Sequence, residues 1–324
     1  MSKQNLIGES SSFLEVLDQV SLYAPLNRPV LIIGERGTGK ELVAARLHYL
    51  SERWDKQYIT LNCASLNENL IESELFGHSA GAFTGATHSR KGRFELADQG
   101  SLFLDELATL PMMAQEKLLR AIEYGEFERL GSNQVIKTDA RLICATNLDL
   151  PTQAKLGKFR SDLLDRLSFA VITLPPLRAR KEDILILADY FAQKMAQELR
   201  IDGRISFSKH CEQQLLDYTW PGNVRELRNV IQRALVQSPQ DEIQAIKIDP
   251  FESPWRPQKS NEMPHTDTDK NFTAQVQNLE KQLLEQALHQ HNFHQARSAQ
   301  SLGLTYDQLR GLMKKHQLLP SKQR

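Results

Sequence analysis

The stretch Val-Leu-Ile-Ile-Gly-Glu-Arg-Gly-Thr-Gly-Lys-Glu, residues 30–41, decides the fold. Val30 to Ile33 form an unbroken apolar run, the pattern of a short strand buried on both faces. Gly34, Gly37 and Gly39 let the backbone turn tightly and aim its N–H groups inward, with Glu35, Arg36 and Thr38 between them. Lys40 opens a segment whose apolar residues (Leu42, Val43, Ala45, Leu47) recur at helical spacing. Strand, glycine loop, lysine and helix together form a phosphate cradle: amides and a helix N-terminus favour anionic oxygens, and Lys40 reaches the β- and γ-phosphates. Glu41 stands where a Ser or Thr hydroxyl normally meets Mg²⁺.

The 324 residues are enough for two or three domains, and 40 basic against 40 acidic side chains leave no overall charge to suggest a partner. Local charge says more. From Phe293 onward six Lys/Arg face one acid, Asp307, a basic tail suited to nucleic acid. Three scattered cysteines (Cys63, Cys144, Cys211) fit neither a disulfide framework nor a metal-ligand spacing, as expected in a reducing cytosol. No apolar run approaches membrane-spanning length, and no signal peptide opens the chain.

Working outward, residues 12–23 read as a helix that precedes the first strand. Trp54, among Arg53, Asp55 and Lys56, reads by composition as core packing more readily than as an exposed contact. Tyr58 to Leu61 read as a second strand ending at Asn62, on the ligand edge of an open parallel sheet; Asn62 is either a nucleotide sensor or a turn residue. Gly81 and Gly85 bracket Ala82, Phe83 and Thr84, with Ala86 beyond. So small a segment builds no core, and it reads as a surface loop with a contact tip at Phe83-Thr84, or as an ordinary glycine loop.

Ser101 to Leu104 read as a buried strand ending in Asp105 and Glu106, the Walker B arrangement. Asp105 suits Mg²⁺, and Glu106 suits a general base that polarises water. Residues 113–124 read as an amphipathic helix and 126–136 as a hairpin. Another strand ends at Thr146-Asn147. Phe159 to Leu167 read as a helix with Arg160 and Arg166 near one end, either solvated or placed to meet a neighbouring subunit's γ-phosphate. From Asp183 the pattern is helical, and Arg225, opening the helix after Trp220-Pro221-Gly222, is placed to reach back to a nucleotide. Prolines 250, 254, 257 and 264 mark a linker. The last two helices flank a turn at Gly303 and read as a helix-turn-helix, or as an interaction bundle.

These residues resemble the bacterial enhancer-binding proteins, the AAA+ activators of sigma-54 RNA polymerase. The resemblance is carried by residues 34–41, by Gly-Ala-Phe-Thr-Gly-Ala (81–86), by Leu-Phe-Leu-Asp-Glu (102–106), by residues 159–167 and by Trp-Pro-Gly-Asn-Val-Arg-Glu-Leu (220–227). It implies an α/β AAA+ P-loop NTPase with a parallel sheet (6–175), a small helical lid (176–249), a linker (250–272) and an all-α Fis-type helix-turn-helix domain (273–324). Glu41 is usual in this family, whereas Gln99 stands where the family more often has glycine.

The resemblance further implies that ATP and Mg²⁺ are bound and that Asn62 pairs with Glu106 as a switch. Thr146-Asn147 and Arg225 take the sensor positions, and Arg160 and Arg166 act in trans as fingers. The protein then works as a homo-oligomer, a dimer on DNA and a hexamer with nucleotide. Residues 81–86 contact sigma-54, while Arg297, Thr305, Tyr306, Gln308, Arg310, Lys314 and Lys315 contact enhancer DNA. Only a handful of residues precede the ATPase, so no N-terminal sensory domain is expected. The resemblance supplies instead a trans-acting repressor of the phage shock protein A type, meeting the ATPase at Trp54. A generic AAA+ remodelling ATPase with a DNA-binding tail is the alternative.

Overall fold

In the computed structural model the described residues are 6–237, 239, 242–253, 255, 256, 272–291, 294–316 and 318. They fall into two compact units divided between Pro250 and Phe251. Most of the expected linker lies outside the described residues.

The first unit begins with α1 (Ser11–Tyr23), β1 (Val30–Ile33), α2 (Lys40–Tyr49) and β2 (Tyr58–Asn62). Next come α3 (Glu68–Phe76), the paired β3 (Gly77–His78) and β4 (Arg90–Lys91), α4 (Arg93–Leu96) and β5 (Ser101–Asp105). Helix α5 (Met112–Tyr124) leads into the hairpin of β6 (Glu126–Glu128) and β7 (Val135–Lys137), and then β8 (Arg141–Thr146). Two short helices, α6 (Leu150–Lys155) and α7 (Ser161–Leu167), precede β9 (Val171–Thr173). The lid follows: α8 (Lys181–Leu199), β10 (Ser206–Phe207), α9 (Lys209–Asp217), α10 (Asn223–Gln237) and β11 (Glu242–Ile243).

Five parallel strands form one sheet in the order β2-β5-β8-β1-β9. Strand alternation splits its side chains between two cores. On β5, Leu102 and Leu104 join the cluster that α3, α5 and α7 cover, while Phe103 joins the opposite cluster under α1 and α2. With both faces covered, no polar residue is needed along the strands, which is why they read as continuous apolar runs. Parallel pairing brings the carboxyl ends of the strands to one edge. In register, Asn62 lies beside Asp105 and Ile33 beside Thr146, with Gly34 next in the chain.

The lid has its own core around Trp220, whose indole N–H donates to Leu215 O (2.8 Å), a partner that a buried indole requires. The two-residue strands β10 and β11, parallel to each other, brace it; neither was legible in the sequence.

The second unit holds α11 (Phe272–Gln290), α12 (Gln295–Ser301) and α13 (Tyr306–Lys315). Leu284, Leu288, Ala299, Leu309 and Met313 make its core. The turn between the last two helices passes through Gly303, in the left-handed region (φ 66°). Thr305 Oγ1 accepts from Gln308 N and Gln308 Oε1 from Thr305 N, a reciprocal cap that starts α13.

Candidate functional site

The carboxyl edge of the sheet and the lid enclose a cleft of about 470 Å³. Residues 36–42, Asp105, Glu106 and Arg225 line it together. Gly39 has φ 101°, a conformation only glycine takes without strain, and a Cβ there would point into open space. Gly37 is needed for a different reason: a Cβ would lie 2.3 Å from Gly222 O, because the lid's loop rests on the glycine loop.

Lys40 is buried, and its Nζ donates to Gly34 O (2.9 Å) and Glu35 O (3.3 Å). Burial pulls its pKa below the usual lysine value, against the opposing charges of Asp105 and Glu106. Thr38 Oγ1 donates to Glu35 O, so its hydroxyl is turned into the loop. Asp105 Oδ1 accepts from Glu106 N (2.9 Å), and Glu106 itself is left-handed (φ 53°), re-aiming its side chain as the strand ends.

The amide of Asn147, oriented by its hydrogen bonds, donates to Glu106 Oε2 (2.8 Å) and accepts from Arg36 Nε (3.2 Å). Arg36 also lies 3.8 Å from Glu106. Thr146 is buried, its hydroxyl accepting from Leu148 N. The expected pairing of Asn62 with Glu106 is not seen: Asn62 Oδ1 accepts from Ala64 N (2.9 Å), capping a short 3₁₀ turn, and Asn147 and Arg36 hold the glutamate instead.

The donor set fits Mg²⁺ bound through one carboxylate and substrate phosphates. Asp105 faces the cleft, Glu41 lines the same wall, and no cluster of three or more His, Cys, Asp or Glu able to hold a metal occurs among the described residues.

Arg160 and Arg166 line no part of this cleft. They sit at opposite ends of α7, not near one end as the sequence suggested, because the helix is only 7 residues long; Arg160 is its N-cap and Arg166 lies in its last turn. Arg160 pairs with Asp162 (2.8 Å) and Glu116 (3.5 Å), and Arg166 with Glu123 (2.7 Å). Arg166 opens onto a separate cleft of about 550 Å³, beside Arg28, Tyr124 and Phe169.

Several residues that sequence reasoning missed shape the site. Asn223 is fully buried at φ 52°; its Oδ1 accepts from Leu177 N (2.8 Å) and its Nδ2 donates to Glu35 Oε2 (3.1 Å) and Arg36 O (3.0 Å). Arg178 grips Glu35 through both oxygens (2.6 and 2.9 Å), and Arg178 and Asn223 hold the Glu35 carboxyl at about 2. At the apolar end, Asp183 accepts from Glu9 N, Ser10 N, Ser10 Oγ and Arg180 Nε at 2.6–2.8 Å, fixing Ile7 against the lid core while Leu6 packs on the sheet's cluster under α1 and α2. Gly222-Asn223 after Trp-Pro was the available signal for the first group, and the Arg180/Asp183 spacing for the second.

The loop 81–86 lies between β3 and β4 and closes on itself through Gly81 N–H to Ala86 O (2.8 Å) and Ala86 N–H to Phe83 O (3.0 Å). Phe83 is exposed at its tip, its ring edge-on to His78, and Thr84 is exposed beside it. Its base is tied to the β6–β7 hairpin by Ser79 N–H to Leu130 O. Trp54 is 64% exposed, with Tyr49 and Leu50 also exposed nearby in the chain, so the core-packing reading of Trp54 is overturned. It projects from a tight turn closed by Trp54 N–H to Ser51 O (3.2 Å). In the second unit Arg297, Tyr306, Gln308, Arg310 and Lys314 are exposed, whereas Lys315 is engaged by Glu280 (2.7 Å) and Thr305 is the helix cap.

A glycine phosphate loop, paired strand-end acids, a helical lid and a separate three-helix unit define an AAA+ regulator that binds DNA. The family described as the sigma-54 interaction domain matches residues 6–173, the AAA+ ATPase lid domain matches 178–266, and the Fis family of bacterial regulatory proteins matches 275–316. The chain belongs to the sigma-54-dependent enhancer-binding activators.

Among its relatives is the Psp operon transcriptional activator of Escherichia coli (strain K12), 54% identical over 98% of this chain and 99% of that protein. The transcriptional regulatory protein ZraR of the same strain is 48% identical over 72% of this chain, which spans about half (53%) of ZraR. Crystal structures of NtrX from Brucella abortus with ADP and with ATP superpose with TM-scores of 0.70 and 0.69 at 29% identity, covering 96% and 97% of this chain and 69% of NtrX. Among the described residues no helix is long and apolar enough to cross a membrane.

Proposed function

We propose that this activator hydrolyses ATP to ADP and phosphate in an oligomeric ring and spends that energy remodelling the sigma-54 RNA polymerase closed complex into the open one. The observation that carries the reading is the convergence of Lys40, Asp105, Glu106 and Arg225 on one cleft whose glycine loop leaves room for a phosphate chain.

Lys40 and the amides of residues 34–41 hold the phosphates. Asp105 would hold Mg²⁺, which would supply charge neutralisation to the phosphates. Glu106 accepts the proton of the attacking water, with Asn147 and Arg36 orienting it, and Thr146 fixes the turn that carries Asn147. Asn62 exchanges its capping bond for Glu106 in another state of the cycle. Arg225 reads the phosphate end from the lid. Arg160 and Arg166 serve a neighbour's site; their positions outside their own cleft and their exposed local pairs support this.

Phe83 and Thr84 contact sigma-54 from the loop tip. The second unit holds a dimer at enhancer DNA through its exposed basic face, and the ring, a hexamer, assembles there with nucleotide. Similarity to the Psp operon activator along nearly the whole chain, with exposed Trp54, supports control of a phage shock operon in the cytoplasm and restraint by a repressor of the phage shock protein A type.

Open-complex formation on a sigma-54 promoter, with purified protein, polymerase and ATP alone, tests this. ATP-dependent open complexes are expected. Thr84→Ala should keep ATPase activity and lose open complexes; hydrolysis without open complexes in the unmodified protein would favour a generic AAA+ remodelling machine.

A further inference from the structure

Arg225 is not the only cation that α10 presents to the cleft. Val224, Arg225, Arg228 and Gln232 all line it, so one face of the helix forms a wall. Arg225 stands at the phosphate end, where its Cβ lies 3.1 Å from the Cβ position built on Gly37. Arg228 lies three residues on, about 4.5 Å further along the helix axis and away from the glycine loop. Helix α8, packed against α10 in the lid, lines the same cleft with Leu187, Tyr190 and Phe191.

Arg228 is half-buried, its Nε is fully buried, and that Nε has no hydrogen-bond partner. Glu198, which lines the same cleft from α8, forms no ion pair with it among the described residues. A buried guanidinium nitrogen without an acceptor is costly. Nε itself is closed off, so it is the rest of the guanidinium, on the lining of the cleft and without a carboxylate partner, that is left to meet a ligand. Mixed apolar and aromatic walls with one planar cation suit a nucleoside, which offers ring faces for stacking and oxygen and nitrogen acceptors for the guanidinium.

We propose that Arg228 is a second nucleotide-binding arginine, holding the ribose–purine end of the ligand while Arg225 serves the phosphate end. The proposal rests on the reading of this cleft as the ATP site. It predicts a division of labour. Losing Arg228 weakens every ligand that carries the nucleoside and spares ligands that lack it.

Binding of ATP, ADP and inorganic triphosphate is measured by competition against a fluorescent ADP, for the full chain and for Arg228→Ala. A rise of roughly tenfold in Kd for both ATP and ADP is expected, with triphosphate unchanged. Equal weakening of triphosphate would make Arg228 a phosphate ligand, and unchanged binding of all three would make it a bystander; either overturns the proposal. Arg228→Lys keeps the stem and charge and should show the same pattern at smaller size, which decides the matter if the alanine variant fails to fold; unchanged binding of all three ligands by Arg228→Lys would also overturn it. Failure of the unmodified protein to bind ATP or ADP would instead remove the nucleotide-site reading itself.

Discussion

Two helices each carry, on or at the end of them, two arginines that the proposed function uses, and they treat them in opposite ways. On α10, Arg225 and Arg228 face the chain's own cleft with no carboxylate partner among the described residues. On α7, Arg160 and Arg166 lie outside that cleft and are held by Asp162, Glu116 and Glu123. On the proposed reading the α10 pair meets a nucleotide in its own subunit, and the α7 pair, held meanwhile by local acids, serves a neighbour's. The pairs on α7 are exposed, so each contributes little and can be exchanged for a phosphate at small cost.

The largest effect that would break this contrast is expected at Arg166. Arg166→Ala should lower ATP turnover by about 10³-fold or more while leaving the Kd for ATP unchanged. A loss of affinity with turnover intact would place Arg166 with the α10 pair.

Stability separates buried pairs from exposed ones. Asp183→Ala strands Arg180, which is 2% exposed, and should cost about 3–5 kcal/mol in urea unfolding. Glu123→Ala, which frees exposed Arg166, should cost less than about 1 kcal/mol. Equal costs would dissolve the distinction.

The Asp183 pair also carries a pH signature. Burial raises the Asp183 pKa, but the bonds from Ser10, Glu9 and Arg180 outweigh it, and the net shift is downward from 3.8. Its stabilisation is therefore present above about pH 4 and is lost as pH falls below that value towards the folded pKa. The difference in stability between the unmodified protein and Asp183→Ala should shrink over that range.

The smallest effect concerns Gln99, which holds φ 57° in the turn before β5, a conformation that favours glycine. Gln99→Gly relieves the left-handed strain but loosens the unfolded chain. A net gain of up to about 1 kcal/mol is expected, raising the Tm by about 2–4 °C.

What could be read in the sequence followed from local patterns with one structural solution. Val30 to Ile33 and Ser101 to Asp105 are apolar runs ending in polar residues, and a doubly covered parallel sheet places such ends at one edge. The loop 81–86 was legible because small residues around one aromatic have no core to join. Misreadings arose where position depends on distant partners. The placement of Arg160 and Arg166 required knowing that α7 spans two turns. Trp54 was assigned to the core by composition, yet it stands exposed next to exposed Tyr49 and Leu50 in the chain, outside every buried cluster. Asn223 draws its importance from Leu177 and Glu35, the latter 188 residues away in the chain, and no local pattern carries such a contact.

The most direct test of the contrast between α7 and α10 mixes two inactive variants. Lys40→Ala lacks the phosphate-binding lysine but keeps Arg166; Arg166→Ala binds ATP but lacks the finger. If α7 serves the neighbouring subunit, the mixture should hydrolyse ATP faster than either variant alone, with a maximum at an intermediate ratio. Mixed assemblies that form, as judged by size-exclusion chromatography, and stay inactive at every ratio would contradict action in trans and return Arg166 to its own subunit.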